Sequence, residues 1–151
     1  MSDRHLRFHP AGAAPRLEVP AVSLVRNAEA SAERNPAKPF LIFYDSELSF
    51  AEFLGEVERL AGFLERECGV RRGDRVLLYM QNSPQFVIGY YGILRANAVV
   101  VPVNPMSLTR DVARYATDAG ARTAIVAQEL FPRVEPLLSA PQRLEHVIVA
   151  A

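Results

Sequence analysis

The chain has 151 residues, with 17 lysines and arginines against 17 aspartates and glutamates, half of its residues hydrophobic, one cysteine and no tryptophan. A chain of this length has room for one core and buries about 70% of the surface its unfolded form exposes, so it needs no disulfide framework. Zero net charge argues against a nucleic-acid partner, which would call for a concentrated basic face. Lys38 is the only lysine, and so the only candidate for any lysine-dependent chemistry.

Residues 1–18 read as a flexible leader in which Arg4, His5, Arg7, His9 and Arg16 alternate with Pro10 and Pro15. No apolar stretch follows, so there is no secretory signal and a cytoplasmic location is expected. Val22 to Asn35 reads as a helix with Val22, Val25, Ala28 and Ala32 on one side, ended by Pro36. Phe40 to Tyr44 is aromatic and β-branched enough for a strand, and Asp45-Ser46-Glu47 is expected to turn the chain before Leu48. Ser49 and Glu52 have capping-box spacing. Phe53, Val57, Leu60, Ala61 and Leu64 then recur at helical intervals up to Gly69.

From there, strands and helices alternate. Gly73-Asp74 is a turn, Val76 to Met80 a buried strand, and Asn82-Ser83-Pro84 a helix start with proline in the first turn. Gly89 and Gly92 inside that helix predict close packing of another backbone. Ala98 to Val103 is a second buried strand. Thr109 to Ala119 is a helix with the stripe Val112, Tyr115, Ala116 and Ala119, stopped by Gly120. Thr123 to Ala127 is a third strand. A segment broken by Pro132 and Pro136 leads to a fourth, His146 to Val149.

The apolar region Phe86 to Val103 is nearly as long as a bilayer span, but Arg95, Asn97 and Pro102 would place a charge, an amide and a helix-breaking ring in lipid. A helix followed by a strand accounts for the same residues, so no transmembrane segment is expected. The pattern predicts an α/β fold, a mostly parallel sheet with right-handed crossovers and helices on its faces. It ends in or just after an apolar strand with no helix to cover it, so a fragment is expected. Uncovered sheet surface of that kind predicts self-association, which leaves a homo-oligomer open.

Few residues announce chemistry. No GxGxxG or GxxxxGK[ST] can be written, so no phosphate cradle is expected. His5, His9, His146 and the lone Cys68 are too few and too dispersed for a metal site, and no nucleophile elbow is present. Ser83 and Ser107 read as helix caps, Cys68 as a thiol at a helix end, and the glutamates between 52 and 67 as a solvated face. The segment that stands out is Pro102 to Ser107, a proline-stiffened loop between strand and helix. Doubly wound sheets place ligand contacts there, although a plain turn and cap accounts for it as well.

Four ordered blocks carry a resemblance: Leu48-Ser49-Phe50-Ala51-Glu52-Phe53, Gly69-Val70-Arg71-Arg72-Gly73-Asp74-Arg75-Val76, Asn82-Ser83-Pro84-Gln85-Phe86 and Val100-Val101-Pro102-Val103-Asn104-Pro105. From about Val19 onward the chain resembles the opening region of AMP-forming acyl-CoA synthetases of the adenylate-forming superfamily, in particular long- and medium-chain fatty-acid CoA ligases. Asn97 stands where that family commonly has glycine, and Phe50 where tyrosine is usual. The resemblance implies that residues 19–151 are the N-terminal portion of a large AMP-binding domain. The whole enzyme would use ATP, Mg2+ and coenzyme A to activate a fatty acid or other carboxylic acid through an acyl-adenylate.

The resemblance also implies that the catalytic residues lie beyond Ala151, so that these residues alone are inactive and hold none of those cofactors. It points to Asn104, Pro105, Met106 and Arg133 as coenzyme A contacts, and it leaves peripheral membrane association open. Two other readings stay open: an aryl-CoA ligase or other adenylating enzyme of the same superfamily, and a self-contained α/β binding or regulatory module. Against the last, the strand ends at Met80, Val103 and Ala127 lack the clustered acidic residues of response regulators.

Overall fold

The computed structural model describes Phe8, Pro10, Gly12 and residues 19–139 and 144–151. Most of the expected leader, His5 and His9 included, lies outside the described residues. The elements run α1 (Leu24–Arg34), β1 (Pro39–Phe43), β2 (Ser46–Ser49), α2 (Phe50–Arg66), β3 (Arg75–Tyr79), α3 (Pro84–Arg95), β4 (Val99–Val103), α4 (Thr109–Ala119), β5 (Thr123–Ala127) and β6 (His146–Ala150). Two short 3-10 segments, Gln128–Arg133 and Glu135–Leu138, join β5 to β6.

Strands β3 to β6 form one parallel sheet in the order β4-β3-β5-β6, and β1 and β2 form a separate antiparallel hairpin. The α/β expectation holds. The β3–α3–β4 crossover runs one way along the sheet and β4–α4–β5 runs back across β3. Right-handed connections therefore place α3 and α4 on opposite faces. Side chains of β3 agree: Leu78 lies under Gly89 of α3, whereas Arg75 Nε donates to Ala119 O at the end of α4. Helices α1 and α2 pack outside α3 and bury Ala28, Phe53 and Val57 against Phe40, Leu48 and Tyr91.

Local signals placed most boundaries. Ser49 and Glu52 form the capping box of α2, Ser83 caps α3 with Pro84 in its first turn, and Gly120 ends α4 at φ +62°. Asn97, which stands where the resembled family commonly has glycine, adopts φ +57°, a left-handed conformation that asparagine tolerates.

Several expectations are corrected. Ser46 and Glu47 belong to β2. The turn is the two-residue Tyr44-Asp45, with Tyr44 at φ +50° and Phe43 opposite Ser46. Val22 lies before the Ser23 cap and is exposed, outside the α1 stripe. Tyr115 is 42% exposed, so the α4 stripe narrows to Val112, Ala116 and the partly buried Ala119. Strand β4 is an edge strand with Val99 and Pro102 exposed, not a buried one; Pro102, which has no N–H to donate, is tolerated at such an edge. Strand β6, at the other edge, is only partly buried. No described helix is long and apolar enough to cross a membrane.

The glycines of α3 make room for side chains rather than for a second backbone. A Cβ on Gly89 would lie 2.8 Å from Leu78 Cδ1, and one on Gly92 2.7 Å from Leu60 Cδ2.

Candidate functional site

Strands β3 and β5 are neighbours, yet their following connections leave on opposite faces of the sheet. A crevice opens at the carboxyl ends of two such strands, the usual place for a ligand in open α/β sheets. Here it holds a cavity of about 140 Å³ lined by Met80, Gln81, Ser83 and Gln85 after β3, Ala127 and Glu129 around the end of β5, and Ala150 and Ala151 from β6. A larger cavity, about 330 Å³, lies between the start of α1 and the end of α3, and one of about 80 Å³ at the amino ends of β3 and β5. Neither touches the carboxyl rim.

Beside the crevice, the structure brings the sequence-predicted residues together. Asn104, Pro105, Met106 and Ser107 form a turn: Asn104 Oδ1 accepts from the Met106 N–H at 2.9 Å, and Asn104 O accepts from the Ser107 N–H at 2.9 Å. Asparagine at the first position and proline at the second favour this conformation locally. Arg133, from the 3-10 segment after β5, reaches the loop. Its Nη1 donates to Pro105 O at 2.8 Å and to Ser107 O at 3.1 Å. Met106 is 80% exposed at the rim.

Ser107 is not the cap of α4. Asp111 accepts the Leu108 N–H at 3.0 Å, and the Ser107 carbonyl is held from behind by other groups.

One of those groups was missed by the sequence reading. Tyr79 ends β3 fully buried, and its hydroxyl donates to Ser107 O at 2.6 Å while accepting from Arg133 Nη1 at 3.1 Å. A tyrosine closing an otherwise aliphatic strand is a usable signal, since a buried hydroxyl has to find a partner. Gln81, Gln85 and Glu129 carried no signal of their own and meet only through the order of the strands.

The Ser83 hydroxyl accepts the Phe86 N–H at 3.2 Å as a helix cap. No group of three or more metal-ligating side chains occurs among the described residues. Cys68 sits at the opposite end of the sheet, where burial, and secondarily the charge of Glu67, pushes its thiol pKa up and away from nucleophilic use.

Residues 28–151 match the family described as AMP-binding enzyme. A long-chain-fatty-acid–CoA ligase of Bacillus subtilis is 38% identical over 103 residues, 68% of this chain and 18% of that protein. One from Salmonella typhimurium is 30% identical over 127 residues, 84% of this chain and 22% of that protein. Among solved structures, the anthranilate CoA ligase AuaEII in complex with anthranoyl-AMP superposes with a TM-score of 0.78 at 28% identity, over 83% of this chain and 24% of that one. The chain spans about a fifth of the length of the curated relatives it matches.

Proposed function

Because this chain belongs to the AMP-binding enzyme family, we propose that the whole protein is an AMP-forming ligase that joins a long-chain fatty acid to coenzyme A. The alignment with fatty-acid CoA ligases over as much as 84% of the chain carries this reading. In the first step a carboxylate oxygen attacks the α-phosphorus of ATP, the bond to the leaving pyrophosphate breaks, and an acyl-adenylate forms. In the second, the sulfur of coenzyme A attacks the acyl carbon, the thiol proton is lost to solvent or a base, and AMP leaves. No step is routed through the residues described here. Their part is to present the Asn104–Met106 turn and Arg133 at the carboxyl rim as the contact for the coenzyme A nucleotide, with ATP and Mg2+ held by the rest of the enzyme.

An aromatic acid is the second reading, supported by the likeness to the anthranilate CoA ligase. Pyrophosphate and AMP release, measured with palmitate, octanoate and benzoate in the presence of Mg·ATP and coenzyme A, distinguishes the two. The whole protein is expected to turn over palmitate fastest, and the 151-residue chain alone to release no pyrophosphate. Preference for benzoate would move the assignment to the aryl ligases, and turnover by the chain alone would overturn the proposed division of labour.

A further inference from the structure

We propose that Tyr79 and Arg133 are positioning residues, which fix the Asn104–Ser107 turn with its carbonyls inward and hold Asn104 and Met106 at the rim. The ligand they serve is the one proposed above; the device itself rests on geometry alone. The carbonyls of Pro105 and Ser107 both point at one guanidinium nitrogen, 2.8 and 3.1 Å away. Two carbonyl dipoles converging in this way repel each other unless donors lie between them. The two N–H groups of Nη1 are shared among Pro105 O, Ser107 O and the Tyr79 hydroxyl, and that hydroxyl adds a donor of its own, to Ser107 O at 2.6 Å.

Tyr79 is fully buried at the end of β3, an interior strand, and Arg133 follows β5, the other interior strand. The turn itself follows β4, an edge strand whose Pro102 has no ladder donor to offer. The least supported strand end is thus tied to the end of one interior strand and to the 3-10 segment that follows the other, as a preorganised contact loop requires.

The test is amide hydrogen exchange by NMR on the 151-residue chain, for wild type, R133M and Y79F. Met106 and Ser107 amides are expected to exchange about tenfold faster in R133M and severalfold faster in Y79F. The Met106 amide resonance should shift, while the Leu77 and Ile125 amides keep their wild-type rates. Wild-type exchange at Met106 and Ser107 in both variants overturns the proposal, and Y79F decides alone should R133M fail to fold. Coenzyme A titrated into the same samples separates the two readings. If it perturbs no loop amide in wild type while the variants still loosen the turn, the coenzyme A assignment falls and the positioning role stands.

Discussion

Replacing Gly92 with alanine pits two effects of opposite sign against each other at a single methyl. In a helix interior alanine is better than glycine by about 1 kcal/mol. At this position the new Cβ would lie 2.7 Å from Leu60 Cδ2, 2.9 Å from its Cγ and 3.2 Å from its Cβ. Rotating the end of the Leu60 side chain relieves only the first contact, because Cγ and Cβ are held close to the α2 backbone. The helices must therefore separate around the buried Ala61, Leu64 and Ile93, and overpacking of this kind costs about 3 kcal/mol at the upper end of its usual range.

The net expectation for G92A is a loss of about 2 kcal/mol, which for a domain of this size lowers Tm by about 4–8 °C. Gly55 on α2 is the control. A Cβ there meets only Arg59 Nη1, at 3.6 Å, so G55A should gain about 0.5–1 kcal/mol. Urea unfolding followed by far-UV circular dichroism and tyrosine fluorescence gives both values. In the pair L60A/G92A the alanine methyl occupies vacated space, so the double variant should be no less stable than L60A alone. If G92A proves as stabilising as G55A, the steric reasoning is wrong.

Arg75 Nε and Nη2 donate to the carbonyls of Ala119, the last residue of α4, and Gly120, its C-cap, at 2.5 and 3.2 Å; R75M should cost about 1–2 kcal/mol in urea unfolding and speed exchange in the last turn of α4. The Glu52 carboxylate is held below its ordinary pKa by the hydroxyl of Ser49 and then by the Ser49 N–H. A carboxylate depressed in the folded state adds stability above its unfolded pKa and loses it as pH falls through the folded value. The stability advantage of wild type over E52Q should therefore be full at neutral pH, shrink as pH drops through the ordinary glutamate range, and vanish below it; a gap that does not change with pH would contradict the assignment. With its thiol pKa raised by burial, Cys68 should react with iodoacetamide at pH 8 severalfold more slowly than free cysteine, and at the same rate in guanidinium chloride.

The sequence by itself determined what depends on neighbours within about one helical turn. The capping box at Ser49 and Glu52, proline in the first turn of α3 and the Gly120 stop each act over a few residues, and the structure has them where the pattern put them. The same local logic marked Asn104 and Pro105 as a turn at a strand end. Hairpin strand β2 was hidden because Ser-Glu-Leu-Ser reads as turn chemistry until β1 pairs with it.

Tertiary structure alone decided the strand order, and with it which strand ends share a rim. Tyr79 and Arg133 are 54 residues apart, and no local rule relates them. They meet because β3 and β5 are adjacent while β4, between them in the chain, lies at the edge. Local preferences set the form of each element, but the donors that hold the Asn104–Ser107 turn come from the end of β3 and from the 3-10 segment after β5, brought together only when hydrophobic burial selects one order of strands over the alternatives.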